Sequence, residues 1–268
     1  MASAPQIYSR EYYQRIRDFE DEHWWYVGTR AIALSLLRSH AERAGGWRVL
    51  DAGCGTGASL VWARGVLRAG SITGVDISRS ALAFCRGRGE RALSQSSITH
   101  LPFGDRCFDL VLCNDVLQHL PTDGADLLAL KELKRVLCPG GVLLLRTNSR
   151  CGLPRAERPD PNFQQYTLEE VAARLEAAGF DVRRATYVNF FPSLYGSLKI
   201  RVQRVHVFRD HDPVRGLYRG LTIGGAALKR PWLNRLLLAM LIAEARYLAG
   251  SGRLPFGHSI MCVAVRPI

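Results

Sequence analysis

No stretch of this chain stays apolar for long. The longest uninterrupted run covers residues 236–243, far short of the ~18 residues that a membrane-spanning helix needs. The cysteines are not arranged for cross-linking or metal either: positions 54, 85, 107, 113, 138, 151 and 262 give an odd, scattered set with no CxxC pair. That pattern argues against a disulfide framework and a structural zinc site, and it fits a reducing, cytoplasmic setting. The opening Met-Ala-Ser-Ala-Pro-Gln lacks a basic start followed by an apolar run, so no secretory signal is expected. Internal repeats and low-complexity tracts are missing as well.

What is present is ordinary in amount. The 268 residues, 47% hydrophobic and 22% charged, suit one domain of the larger kind, or one carrying a cap, with a substantial core. Acid is scarce relative to base: 24 Asp and Glu face 36 Lys and Arg, a formal net charge of +12. Residues 191–235 hold nine Lys/Arg against two Asp, a net of +7, so over half of the excess lies there. Such a stripe meets nucleic acid, anionic lipid or an acidic small molecule, or is simply a solvated face.

The pattern alternates between strand and helix. Residues 47–51 read as a short buried strand stopped by Gly53, Gly55 and Gly57; residues 71–76 as a second, with Ser78 capping the next helix. Residues 108–113 form a third, and residues 141–146 a fourth after the Pro-Gly-Gly turn at 139–141. Helical spacing covers 123–136, and Thr167-Leu-Glu-Glu170 is a capping box opening a helix that stops at Gly179. Residues 187–190 and 258–265 are the remaining strand candidates and resemble a pair at one sheet edge. This alternation predicts an α/β fold with a doubly wound, mostly parallel sheet. Three parts are expected: an N-terminal helical cap over 1–45, a Rossmann-like domain over 46–190 and 251–268, and a basic helical lid inserted over 191–250.

In such sheets ligands bind where the strand order reverses, beyond the carboxyl ends of the strands. Val49-Leu-Asp-Ala-Gly-Cys-Gly-Thr-Gly57 ends the first strand in a GxGxG loop preceded by Asp51. Glycines at alternate positions let the chain turn sharply and let a ligand approach the backbone. Asp76, 25 positions after Asp51, ends the second strand as a carboxylate able to accept hydrogen bonds from two ribose hydroxyls. This spacing suits any adenosine ligand and does not by itself separate NAD from S-adenosylmethionine.

Four motifs in order over residues 47–147 carry a resemblance: Val-Leu-Asp-Ala-Gly-Cys-Gly-Thr-Gly57, Gly74-Val-Asp-Ile-Ser78, Leu101-Pro-Phe-Gly-Asp-Arg-Cys-Phe-Asp-Leu-Val111 and Leu133-Lys-Arg-Val-Leu-Cys-Pro-Gly-Gly141. Together they resemble class I S-adenosylmethionine-dependent methyltransferases. The resemblance implies S-adenosylmethionine as cofactor and S-adenosylhomocysteine as product. It implies that Gly53, Cys54, Gly55 and Gly57 line the methionine part together with Asp51, and that Asp76 holds the ribose. It further implies that Ile77 packs on adenine and that Asn114 and Asp115 surround the methionine moiety. Ser97 and Ile98 stand where the family commonly has an aspartate and a small apolar residue; the serine hydroxyl can still accept the adenine amino hydrogen bond.

Ahead of the first strand, His23-Trp-Trp-Tyr-Val-Gly-Thr-Arg30 is similar to a leader in one bacterial subset of this family, often involved in small-molecule or glycan tailoring. On a helix His23, Tyr26 and Arg30 share one face. Arg30 is then expected to fork onto the cofactor carboxylate, Trp25 or Tyr26 to close over the sulfonium, and Trp24 to pack in the core. His119 is the base candidate, and Tyr166 a further acceptor-pocket candidate. Asp115, Gln118 and His119 repeat the spacing of metal-using relatives, but a glutamine replaces an acid, so no metal is expected. His100 is expected in a surface loop.

The expected reaction is methyl transfer to an O or N atom of a small molecule, with secondary metabolism as the expected setting. Alternatives are a lipid- or glycan-linked acceptor at a membrane surface, reached through residues 233–247 with Arg235 and Arg246, or nucleic acid. The last lacks an Asn/Asp-Pro-Pro-Tyr-like tetrapeptide at residues 114–117 and is not expected. A homodimer through the 233–247 helix is a further partner reading.

Overall fold

The computed structural model describes residues 9–38, 46–67, 69–121, 123–150, 164–194 and 230–268. Most of the basic 191–235 stretch therefore lies outside the described residues, as does Cys151. Seven strands form one sheet in the order β3-β2-β1-β4-β5-β7-β6: β1 Arg48–Ala52, β2 Ser71–Asp76, β3 Leu93–Gln95, β4 Phe108–Asn114, β5 Leu137–Asn148, β6 Asp181–Val188 and β7 Ser259–Val265. All pairings are parallel except those of β7, which runs antiparallel to both β5 and β6. The strand order reverses between β1 and β4, where a doubly wound sheet opens its ligand crevice.

Helices cover both faces: α1 Arg10–Phe19, α2 Trp24–Leu37, α3 Ala58–Val66, α4 Arg79–Gly87, α5 Ala125–Val136, α6 Leu168–Ala177 and α7 Pro231–Ala249. Alternate strand residues feed two apolar layers. Val49, Leu110, Leu112, Leu144 and Val263 pack under α2, α3 and α7. Leu50, Val111, Leu143, Leu145 and Ala264 pack under α5 and α6. Strands buried on both sides explain the near-continuous apolar runs of β4 and β7.

Several boundaries differ from the sequence reading. The fourth strand starts at Leu137, not 141. It runs through Pro139-Gly140-Gly141, because its early residues pair with Phe108 across an irregular register. Of the strand expected at 187–190 only Tyr187 and Val188 belong to β6, which begins at Asp181 with partly exposed residues; the chain leaves the sheet at Asn189, φ 64°. Ser78 and the Thr167–Glu170 box cap their helices as expected.

The N-terminal cap is held by packing and by long-range hydrogen bonds. His23 is the N-cap of α2, its Nδ1 accepting from the Trp25 amide at 3.3 Å. Burial pulls its pKa down to about 4, so the ring keeps the lone pair that capping requires. Asn234 at the start of α7 accepts from the Trp24 amide at 3.0 Å and donates to the Glu22 carbonyl at 3.1 Å. Further along the two helices, Gly28 allows close approach: a Cβ there would lie 2.5 Å from Leu241 Cδ1. Trp24 is buried, as expected of a packing residue.

Candidate functional site

The site is built on the loop after β1. Gly53 has φ 90°, and an added Cβ would fall 2.1 Å from Val116 Cγ2, so only glycine lets the chain turn here. At Gly55, φ 52°, an added Cβ would meet nothing within 4 Å; the main chain there borders open space. Asp76 at the end of β2 accepts from the Gly55 amide at 2.9 Å and the Ser78 amide at 2.8 Å. These two bonds favour its ionised form, yet burial dominates and raises its pKa. A carboxylate offers about four acceptor positions, so two remain for a ligand.

Asp51 is only 1% exposed, and its Oδ2 has no hydrogen-bond partner. Burial first, then the nearby Asp76 and Glu20 carboxylates, push its pKa up to about 7. A buried polar atom left unbonded costs free energy and is uncommon in proteins. Asp51 itself stands two residues before Gly53 of the adjoining cavity wall, and the unbonded oxygen suits a cationic donor. That is a fit for the amino group of S-adenosylmethionine.

A cavity of about 110 Å³ lies between α2, the loop, the start of α3 and the ends of β4, β5 and β7. Tyr26 and Arg30 line it together with Gly53, Cys54 and Asn114, five residues singled out from the sequence and brought together here. Burial lowers the pKa of Arg30 and raises that of Tyr26. The Cys54 thiol sits 3.8 Å from that of Cys85, and this contact, with burial, raises its pKa. Glu20, Thr29, Ser59, Trp62, Arg146 and Met261 complete much of the wall.

Two of these carry interactions that the sequence reading missed. Glu20 is buried at the end of α1, where its carboxylate accepts from Thr56 Oγ1 at 2.5 Å and Arg88 Nη2 at 2.6 Å. Its carbonyl accepts from Arg30 Nη2 at 2.9 Å, and Arg88 also donates to the Thr56 carbonyl at 2.9 Å. One glutamate therefore clamps the cap to the glycine loop. Arg146 on β5 forks onto Asp115, which follows β4 with φ 58°. The signal for Arg146 was its position, an arginine ending the apolar strand Val-Leu-Leu-Leu; Glu20 offered none, since its partners are 36 and 68 residues away.

The other expected residues are more spread. Ile77 is 58% exposed just beyond Asp76. Ser97 Oγ bonds Thr99 Oγ1 at 2.8 Å, while Ile98 turns into the core. Trp25 meets His258 edge-on, ring centroids 5.3 Å apart, and is not part of the cavity wall. Gly57 precedes α3 with φ 88°. His119 lies in a 3₁₀ turn, Leu117–His119, away from that wall; burial lowers its pKa against the pull of Asp115. Gln118 uses its amide oxygen on Thr147 and the Asn148 amide. His100 is exposed, as expected of a loop residue. Tyr166 is a core residue bonded to Gln164 and the Leu117 carbonyl rather than a pocket one.

Comparison with known proteins bears on the family and the fold. Residues 50–145 match the family model described as a methyltransferase domain. The chain is 32% identical over 166 residues to a probable S-adenosylmethionine-dependent methyltransferase of Mycolicibacterium smegmatis, covering 60% of this chain and 61% of that one. It is 32% identical over 162 residues to an uncharacterized protein of Methanocaldococcus jannaschii, covering 60% and 67%. The match thus spans about three fifths to two thirds of these relatives' own length. In fold it resembles the structure titled as a complex between the Haloferax volcanii Trm112 methyltransferase activator and the putative methyltransferase, with a TM-score of 0.58, 17% identity, and coverage of 99% of this chain and 100% of that one.

Proposed function

This chain belongs to the class I S-adenosylmethionine-dependent methyltransferases, and from that premise we propose that it methylates an oxygen or nitrogen of a small-molecule acceptor. The observation that carries this reading is the cavity shared by the cap residues Tyr26 and Arg30, the loop residues Gly53 and Cys54, and Asn114. Bound S-adenosylmethionine supplies an electrophilic methyl on a sulfonium, whose in-line transfer releases a neutral thioether. No oxyanion needs stabilising, so the protein's work is binding, alignment and exclusion of water, worth roughly 7–11 kcal/mol when alignment is good.

Each residue then has a task. Asp76 keeps two acceptor positions for the ribose hydroxyls, and the exposed apolar face of Ile77 suits adenine, with Ser97 as acceptor for its amino group and Ile98 behind it. The main chain of Gly53, Cys54, Gly55 and Gly57 runs along the amino-acid end. Asp51 offers its unbonded oxygen to the ammonium, and Arg30 its guanidinium to the carboxylate. Asn114 and Asp115 close the strand-end side. Tyr26 offers an aromatic face to the sulfonium, roughly 0.5–2 kcal/mol of attraction. His119, kept neutral by burial, can accept the acceptor's proton where one must leave. The acceptor itself is expected beside the cap helix α2, which carries Tyr26 and Arg30.

Titration calorimetry with S-adenosylhomocysteine tests this. Binding is expected, weakened at least tenfold in Asp76→Ala, since a charged hydrogen bond contributes ~1.5–3 kcal/mol. Absence of heat with that ligand, or unchanged affinity in the variant, would refute the cofactor assignment.

A further inference from the structure

Helix α7 presents two opposite faces. Leu241, Glu244, Ala245 and Leu248 are buried against α2 and the sheet. On the other side Trp232 is 63% exposed, Leu236 52% and Tyr247 56%. Ala239 and Ala243 are exposed between them. At 3.6 residues per turn these five positions fall within an arc of roughly 80° and make a stripe about 22 Å long. Arg235 and Arg246, both exposed, flank this stripe along the same border. Large apolar side chains in a row on a helix surface are costly in water and mark a contact surface.

From this face we propose a docking surface for an anionic lipid bilayer. Charge complementarity selects the occupant: the two arginines lie on one border of the apolar stripe, in a chain of net charge +12. A tryptophan, a tyrosine and a leucine with flanking arginines are what a helix lying in a headgroup region uses. Asn234 binds the start of α2, so the bilayer face stands one helix away from Tyr26 and Arg30. Docking is a property of α7 and does not depend on which acceptor is methylated.

Co-sedimentation with phosphatidylcholine vesicles, with and without about a third phosphatidylglycerol, tests the proposal on the full chain. Parent protein is expected to pellet with the anionic vesicles and to be released by salt. W232A/L236A/Y247A should lose at least tenfold in partitioning, and each of R235Q and R246Q about fivefold. Retained S-adenosylhomocysteine binding and an unchanged melting temperature in these surface variants show that the fold is intact. No pelleting, or equal pelleting with neutral vesicles, would overturn the proposal. Parent-like pelleting of the triple variant would also overturn it and assign binding to another part of the chain, such as residues 195–229. A dimer in light scattering that W232A/L236A/Y247A turns to monomer would overturn it in favour of a second copy.

Discussion

Asp51 holds a proton near neutrality because its carboxyl is buried beside two other acids and one oxygen lacks a donor. A cationic group arriving at that oxygen favours the ionised form, so binding below pH 7 must expel the proton. Cofactor affinity is therefore expected to fall as pH drops from 7.5 to 6, by up to about tenfold per pH unit below the carboxyl's own pKa. Calorimetry at pH 6 in buffers of different ionisation enthalpy should register close to one proton released, and a flat affinity would remove Asp51 from the amino-group role. His119→Ala, by contrast, should lower the methylation rate while leaving S-adenosylhomocysteine affinity unchanged. If the variant matches the parent rate from pH 6 to 9, the imidazole takes no proton.

At the scale of elements, the α2–α7 contact decides whether the cap residues reach the site. Gly28→Ala drives a methyl into Leu241; overpacking of this kind costs typically ~1–3 kcal/mol. It should lower the melting temperature and, by displacing Tyr26 and Arg30 on the same helix, weaken S-adenosylhomocysteine binding as well. Gly65→Ala, on the open surface of α3 where an added Cβ meets nothing, should instead be neutral or stabilise by ~0.4–1 kcal/mol. Melts of both variants separate a packing effect from a helix-propensity one. The strand-helix alternation and the glycine loop were readable because local chemistry sets them: buried parallel strands are apolar throughout, and a positive-φ turn demands glycine. β3 escaped because its three residues, Leu93–Gln95, are too few to show a period. The entry of α7 beside the cap, and Glu20 reaching Thr56 and Arg88, escaped because spacing along the chain does not encode contacts between distant segments.

For the whole molecule, pH acts through groups far from one another. Glu244 on α7 accepts from the Asn189 and Phe190 amides at 2.6 and 3.0 Å, yet burial pushes its pKa up to about 7. The folded state then binds protons more tightly than the unfolded one at Glu244 and Asp51, so their contribution to stability declines as pH rises through about 7. His23 works in the opposite sense: its lowered pKa withdraws stability as pH falls from 6.5 towards 4. Between pH 6.5 and 8 the carboxyls govern, and the melting temperature should decrease across that window, less so in Glu244→Gln. An identical slope in parent and variant would show that Glu244 does not set it.

The bond from Asn234 to the Trp24 amide joins partners 210 positions apart. On a ribosome adding ~5–20 residues per second, the nascent tryptophan waits roughly 10–40 s for its asparagine to be made. Until then the cap is held through Glu20, Thr56 and Arg88, so a growing polypeptide carries its glycine loop before the cap gains its second anchor. The cap is therefore fastened in two stages, first to the glycine loop and only near the end of synthesis to α7.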